Sequence, residues 1–251
     1  MLCGPVEWPD VRLSPHPELH PVFEALAYSV GYALYRRARS RSGDILGDDQ
    51  RWLIIAAAAV GALVGSRALG ILEQAPVGQI GWRALLAPGG KTIVGGLLGG
   101  WIAVELVKRF RHIHSRTGDL FAVPLGVGIA VGRVGCFLAG MADGTYGTPT
   151  KLPWAVDFGD GIPRHPTQLY EIAFLLALAW LLWKWGERPH ADGILFRAFL
   201  AAYLAWRLAI DFIKPEPHVA GLNMIQWACV AGLIALGMSE FVTKPCEAAC
   251  L

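Results

Sequence analysis

Residues 131–171 read VGRVGCFLAGMADGTYGTPTKLPWAVDFGDGIPRHPTQLYE. Arg133 stands near the end of an apolar, glycine-rich run. A polar loop follows, and Arg164-His165-Pro166-Thr167-Gln168-Leu169-Tyr170-Glu171 then opens the next apolar run. Ionisable groups at membrane depth are expensive, so they face a protein interior or a water-filled cavity and point to a functional site. Two such groups at adjoining span ends, joined by one loop, read as two walls of a polar pocket.

The rest of the chain supports a membrane setting for this stretch. Of its 251 residues 54% are hydrophobic and 17% charged, and the mean hydropathy is +0.43. A soluble domain carries about 25% charged residues. Outward from residues 131–171, seven runs have the length and apolarity of spans, since roughly 20 residues cross a bilayer. They lie near 21–37, 52–70, 92–110, 119–140, 166–186, 193–213 and 220–238, the first and sixth being the most polar. The expected fold is all-α: one integral membrane domain over 1–251, a bundle of about seven transmembrane helices. Residues 1–20 lack the apolar stretch of a signal peptide, so the first span is expected to act as an uncleaved anchor. Twelve basic residues fall in the loops after the first, third and fifth spans and in the C-terminal tail, against six on the other side. The richer side is expected to be cytoplasmic. This places the N-terminus and the 141–165 loop outside and the C-terminus inside.

Several function classes recede. A net charge of +2 suggests no nucleic-acid partner. Neither the cysteine spacing nor the acidic residues signal a disulfide framework, a metal or a cofactor, and the C-x3-C pair Cys246 and Cys250 reads as chance. There is no phosphate loop, and no internal repeat of the kind transporters often show.

The small-residue pairs Gly61/Gly65, Gly95/Gly99, Gly96/Gly100 and Gly128/Gly132 let helix backbones approach closely. Gly95-Gly96 could also bring a backbone beside a lipid headgroup. Arg133 lies between Gly132 and Gly135, and its planar fork suits a phosphate or carboxylate. The alternative is structural pairing with an acid such as Asp211, Glu105 or Glu24. Arg207 and Asp211, at i,i+4, share a helix face and either bind ligand or neutralise each other; Lys214 beyond them can snorkel outward. His165 precedes Pro166, which is tolerated in a first helical turn; His165 is either a site residue or a capping one. Gln168, Tyr170 and Glu171 follow in the first two turns, where anions are welcome. Glu24 has three readings: partner to an arginine, proton acceptor, or snorkeller. Cys136 reads as small packing. The sum is a pocket opening outward for a phospholipid headgroup or another amphiphilic anion.

These motifs resemble the bacterial prolipoprotein diacylglyceryl transferase family. The resemblance runs from about 22 to 238 and is carried by Gly132-Arg133-x-Gly135 with Phe137, by Leu152-Pro153-Trp154, by Pro163 to Glu171, and by Tyr203 and Arg207 with the tail to Pro215. It implies seven spans in the bacterial inner membrane. It also implies transfer of diacylglyceryl from phosphatidylglycerol, or a related glycerophospholipid, to the lipobox cysteine thiol of a secreted precursor, releasing glycerol 1-phosphate. Arg133 and Arg207 would handle the phosphate, with His165 and Glu24 as the other catalytic candidates. Gly95, Gly96, Tyr28, Asp143, Gln168, Tyr170, Glu171, Tyr203 and Asp211 would line the substrate site. The chain departs from the family pattern at Val94, where a histidine usually precedes the Gly-Gly pair. It departs also at Cys136 and Ala139 (usually asparagine), at Met141 (usually glutamate) and at Glu24 (usually tyrosine). Either Glu24 or His165 takes over proton transfer, or the chain is a divergent paralogue with another acceptor, or a non-catalytic lipid binder.

Overall fold

The computed structural model describes residues 11–44, 46–74, 90–113, 115–215 and 221–242. Cys246 and Cys250 lie outside the described residues, as do Arg83 and Lys244. The fold is all-α as expected. Its helices are α1 (His20–Ser42), α2 (Asp48–Gln74), α3 (Ile93–Phe110), α4 (Asp119–Ala139), α5 (Thr167–Gly186), α6 (Ile194–Ile210) and α7 (Met224–Val242). Among the described residues three stretches are long and apolar enough to cross a membrane: Asp48–Glu73, Asp119–Asp143 and Thr167–Gly186. The chain groups into two compact units. One holds the chain up to Ser42, Leu120–His190 and Phe212–Pro215; the other holds Gly43–Asp119, Ala191–Asp211 and the chain from Glu216.

In the first unit α1 packs on α4 through a face of small residues. Gly128, Gly132 and Gly135 recur at helical spacing, and each looks onto α1. A Cβ on Gly128 would sit 3.3 Å from the Ala27 carbonyl oxygen, and one on Gly135 only 2.7 Å from Phe23 Cβ. Any side chain at 135 would therefore drive the helices apart. Tyr35 stacks on Phe121 at 4.7 Å near the other end of this contact. Beyond α4 the chain forms a 3-10 turn, Gly140–Asp143, and a small three-stranded sheet. Its strands are β1 (Val11–Arg12), β2 (Val156–Asp157) and β3 (Pro163–Arg164), with β1 parallel and β3 antiparallel to β2. Phe158, fully buried, packs edge-on against Phe137. Asp157 accepts from the backbone N–H groups of Gly159 and Gly161 at 2.8 and 2.9 Å, which closes the turn between β2 and β3. The β3 strand leads directly into His165 and the start of α5.

The second unit is built on an α2–α3 contact of the same kind. Gly61 and Gly65 meet Gly95 and Gly99 so closely that a Cβ on Gly65 would collide with the Gly95 carbonyl, and one on Gly99 with that of Gly61. Thr92 caps α3, its hydroxyl accepting from Gly95 N–H at 3.2 Å. A reciprocal cap starts α7: Asn223 Oδ1 accepts from Gln226 N–H at 2.7 Å, and Gln226 Oε1 accepts from Asn223 N–H at 2.9 Å. Each pair satisfies donors that a helix start leaves unpaired. Arg51, one of the twelve basic residues that the span boundaries place in loops, is instead buried. It pairs with Asp44 and donates to the Thr117 carbonyl at 3.1 Å.

Candidate functional site

The first unit gathers most of the expected polar residues where α1, α4 and α5 end at the loop. Arg133 and Glu171 are both buried and approach to 2.9 Å. Glu171 is an acid that the sequence reading did not put forward as a partner for Arg133. Glu171 comes from the second turn of α5, and the 141–165 loop folds that turn back onto α4. Gln168 lies one turn before Glu171 on the same face. It is 1% exposed, and neither its amide nitrogen nor its amide oxygen has a hydrogen-bond partner among the described residues. A buried amide left unpaired costs on the order of 1–3 kcal/mol. A ligand that bonds to it recovers that cost.

Helix α5 begins at Thr167, with Pro166 at its N-cap, so His165 stands next to the N-cap, near where sequence places it. Tyr170 joins the two sides of the loop, its hydroxyl accepting from Trp154 Nε1 at 2.7 Å and lying 3.3 Å from His165 Nδ1. Arg164 binds Asp160 at 2.6 Å and covers the Tyr146 ring at 5.0 Å. The Arg164 hydrogen bond holds the Asp160 carboxyl below its ordinary range.

A second polar group adjoins Arg133 and includes a residue sequence did not single out, His20. Arg133 Nη1 lies 3.8 Å from Cys136 Sγ, and Cys136 Sγ lies 3.8 Å from His20 Nε2. The same His20 nitrogen is 3.3 Å from Asp143 Oδ1. The Thr145 hydroxyl donates to the other oxygen of Asp143. Cys136 is therefore part of a polar cluster rather than simple packing. No sequence signal links it to a histidine 116 positions away. The Gly135 contact does so, because it brings the start of α1 against the end of α4. Glu24 lies one turn beyond His20 and is half-buried, whereas the Tyr28 side chain projects outward with 72% of the residue exposed.

The remaining candidates belong to the second unit. Arg207 and Asp211 are buried and paired at 2.9 Å, beside a fully buried Tyr203 that stacks on Phe199. Gly95 serves the α2–α3 contact, and Gly96 makes only ordinary contacts, to Ala62 and Ser66. Val94 is buried at the head of α3. Lys214, expected to reach outward, is buried in the first unit.

Long apolar helices that bury arginine–carboxylate pairs define an all-α membrane protein. The family model for prolipoprotein diacylglyceryl transferase matches residues 18–242, and the chain belongs to that family. Among its relatives is the phosphatidylglycerol–prolipoprotein diacylglyceryl transferase of Bordetella bronchiseptica, 32% identical over 239 residues, covering 88% of this chain and 90% of the relative. Proteins of the same name from Bordetella avium and Geobacter sulfurreducens are each 32% identical, covering 80% and 78% of this chain and 81% and 77% of their own.

Proposed function

We infer that this chain is a transferase that moves diacylglyceryl from phosphatidylglycerol to the cysteine thiol of a prolipoprotein. The observation that carries the site assignment is the buried Arg133–Glu171 pair beside the unpaired amide of Gln168. A phosphodiester headgroup offers what these groups need. Its oxygens accept from the guanidinium and the amide nitrogen, while glycerol hydroxyls donate to the amide oxygen. Arg207, paired with Asp211 in the second unit, is the other arginine that the family resemblance assigns to phosphate handling.

In the reaction the acceptor sulfur forms a bond to the glyceryl carbon and the carbon–oxygen bond to phosphate breaks. Glycerol 1-phosphate leaves with the bonding pair. An arginine that contacts the departing phosphate stabilises the charge that develops there. Thiolate is the nucleophile, so the thiol proton must leave, and His165 and Glu24 are the acceptors assigned to it. The protein sits in the bacterial inner membrane with the N-terminus, the sheet and the site towards the outer face. The distribution of basic residues supports that orientation.

The test uses purified protein, phosphatidylglycerol vesicles and a lipobox-cysteine peptide, with peptide mass and released glycerol phosphate followed together. A diacylglyceryl increment matched by glycerol phosphate is the expected result. Release without modified peptide points to another acceptor, and neither product from folded protein removes the reading.

A further inference from the structure

The geometry points to a zinc-class metal site formed by His20 Nε2, Cys136 Sγ and Asp143 Oδ1, whose open fourth position takes the acceptor thiol. The second half of this statement rests on the transferase reading above; the first does not.

The three ligand atoms come from separate elements and converge on one point. His20 opens α1, Cys136 lies in the last turn of α4, and Asp143 ends the 3-10 turn that follows. The atoms lie within 4.8 Å of one another. With zinc–nitrogen and zinc–oxygen bonds of ~2.0–2.1 Å and a zinc–sulfur bond of ~2.3 Å, a tetrahedral site has N···S and N···O edges of about 3.6 and 3.3 Å. The observed edges are 3.8 and 3.3 Å. The plain alternative is a histidine–aspartate ion pair with a thiol nearby. One Nε2 hydrogen cannot serve both neighbours at once, whereas one cation held between them satisfies sulfur, nitrogen and oxygen together.

The surroundings fit a cation. Thr145 donates to the far oxygen of Asp143 and leaves Oδ1 turned towards His20, the kind of outer contact that fixes a ligating carboxylate. Arg133 is the guanidinium nearest the sulfur, and Glu171 holds it at 2.9 Å. Sulfur with nitrogen favours zinc over magnesium or calcium.

Three protein ligands leave a tetrahedral ion one open position, as in catalytic zinc sites. The His20 side chain is 38% exposed, so the cluster can be reached from outside. A thiol that coordinates the ion is deprotonated outright, and its proton passes to the acceptor assigned above, Glu24 or His165. The resulting thiolate lies close to Arg133, where the donor phosphate is held. This supplies thiol activation without a histidine at position 94.

The test is a cobalt(II) titration of the detergent-purified full chain, read by its thiolate-to-cobalt charge-transfer band. One cobalt per chain is expected. The band should disappear in Cys136→Ser and His20→Ala and persist in the Cys246→Ser/Cys250→Ser double variant. Thr145→Val leaves all three ligands in place and should weaken affinity about 10–100-fold. No band in the wild type, or an unchanged band in Cys136→Ser, overturns the site. A lipobox-cysteine peptide should strengthen the band and its serine counterpart should not; an unresponsive band overturns the thiol position. Turnover after chelation separates the two readings. Undiminished transfer from metal-free protein keeps the transferase and overturns the ion's part in thiol activation. A thiol-responsive band without transfer in any metal state removes the transferase reading instead.

Discussion

Replacing Glu171 by glutamine tests whether the Arg133 pair is a structural element as well as a binding one. Both side chains are buried and meet at 2.9 Å. The amide keeps the shape of the carboxylate and removes its charge, leaving a guanidinium in a poor solvent for ions. Breaking one side of a buried pair typically costs about 3–5 kcal/mol. In a chain of this size each kcal/mol moves the melting temperature by about 2–4 °C, so Glu171→Gln should melt about 6–20 °C lower. The double variant Arg133→Met/Glu171→Met removes both charges and should recover most of that loss while remaining without transferase activity. Thermal unfolding in one detergent at a fixed scan rate, with transfer measured in parallel, reads both effects. If Glu171→Gln melts within about 2 °C of wild type, or the double variant falls as far as the single ones combined, the reasoning about this pair fails.

Arg207→Ala should abolish transfer and also destabilise the protein, because it leaves the Asp211 carboxylate buried; turnover together with melting temperature checks both. Gly65→Leu forces α2 away from α3 and should cost about 1–3 kcal/mol or prevent folding altogether, seen as lost expression or lowered melting. Thr92→Ala removes the α3 cap and should cost roughly 0.5–2 kcal/mol, again read by melting. Because the folded Asp160 carboxyl titrates below its ordinary value, its contribution to holding the loop is complete above that ordinary value and is lost as pH falls through the lowered one. Protease sensitivity of residues 155–165 should therefore rise on acidification in wild type and be high at every pH in Asp160→Asn.

The all-α character and the glycine contacts were legible because both are periodic. Gly61, Gly65, Gly95 and Gly99 announce a close helix crossing at their own spacing, and the structure uses them for one. Pairings between distant segments carry no such period. Arg133 could be recognised as needing a partner, and three acids looked suitable, but Glu171, which the fold of the loop brings to it, was not among them. His20 was invisible because it ends a polar stretch that carries no motif. It becomes a neighbour of Cys136 and Asp143 only through the tight approach at Gly135. The strand at Val11–Arg12 escaped for a related reason: two residues are too few for an alternating pattern to declare itself.

That strand constrains how the chain is threaded. Leu13 N–H donates to the Asp157 carbonyl at 2.9 Å and His16 N–H to the Leu138 carbonyl at 2.7 Å. The segment before α1 and the segment after α4 are therefore fastened to each other and must lie on one side of the membrane. Whatever the route, residues 20–139 must cross the bilayer an even number of times, and losing or adding one crossing would tear this fastening apart. Membrane-impermeant labels placed at residues 12 and 161 must report the same face. A chain inserted with the wrong parity could not form the sheet, so the sheet acts as a check on the completed topology.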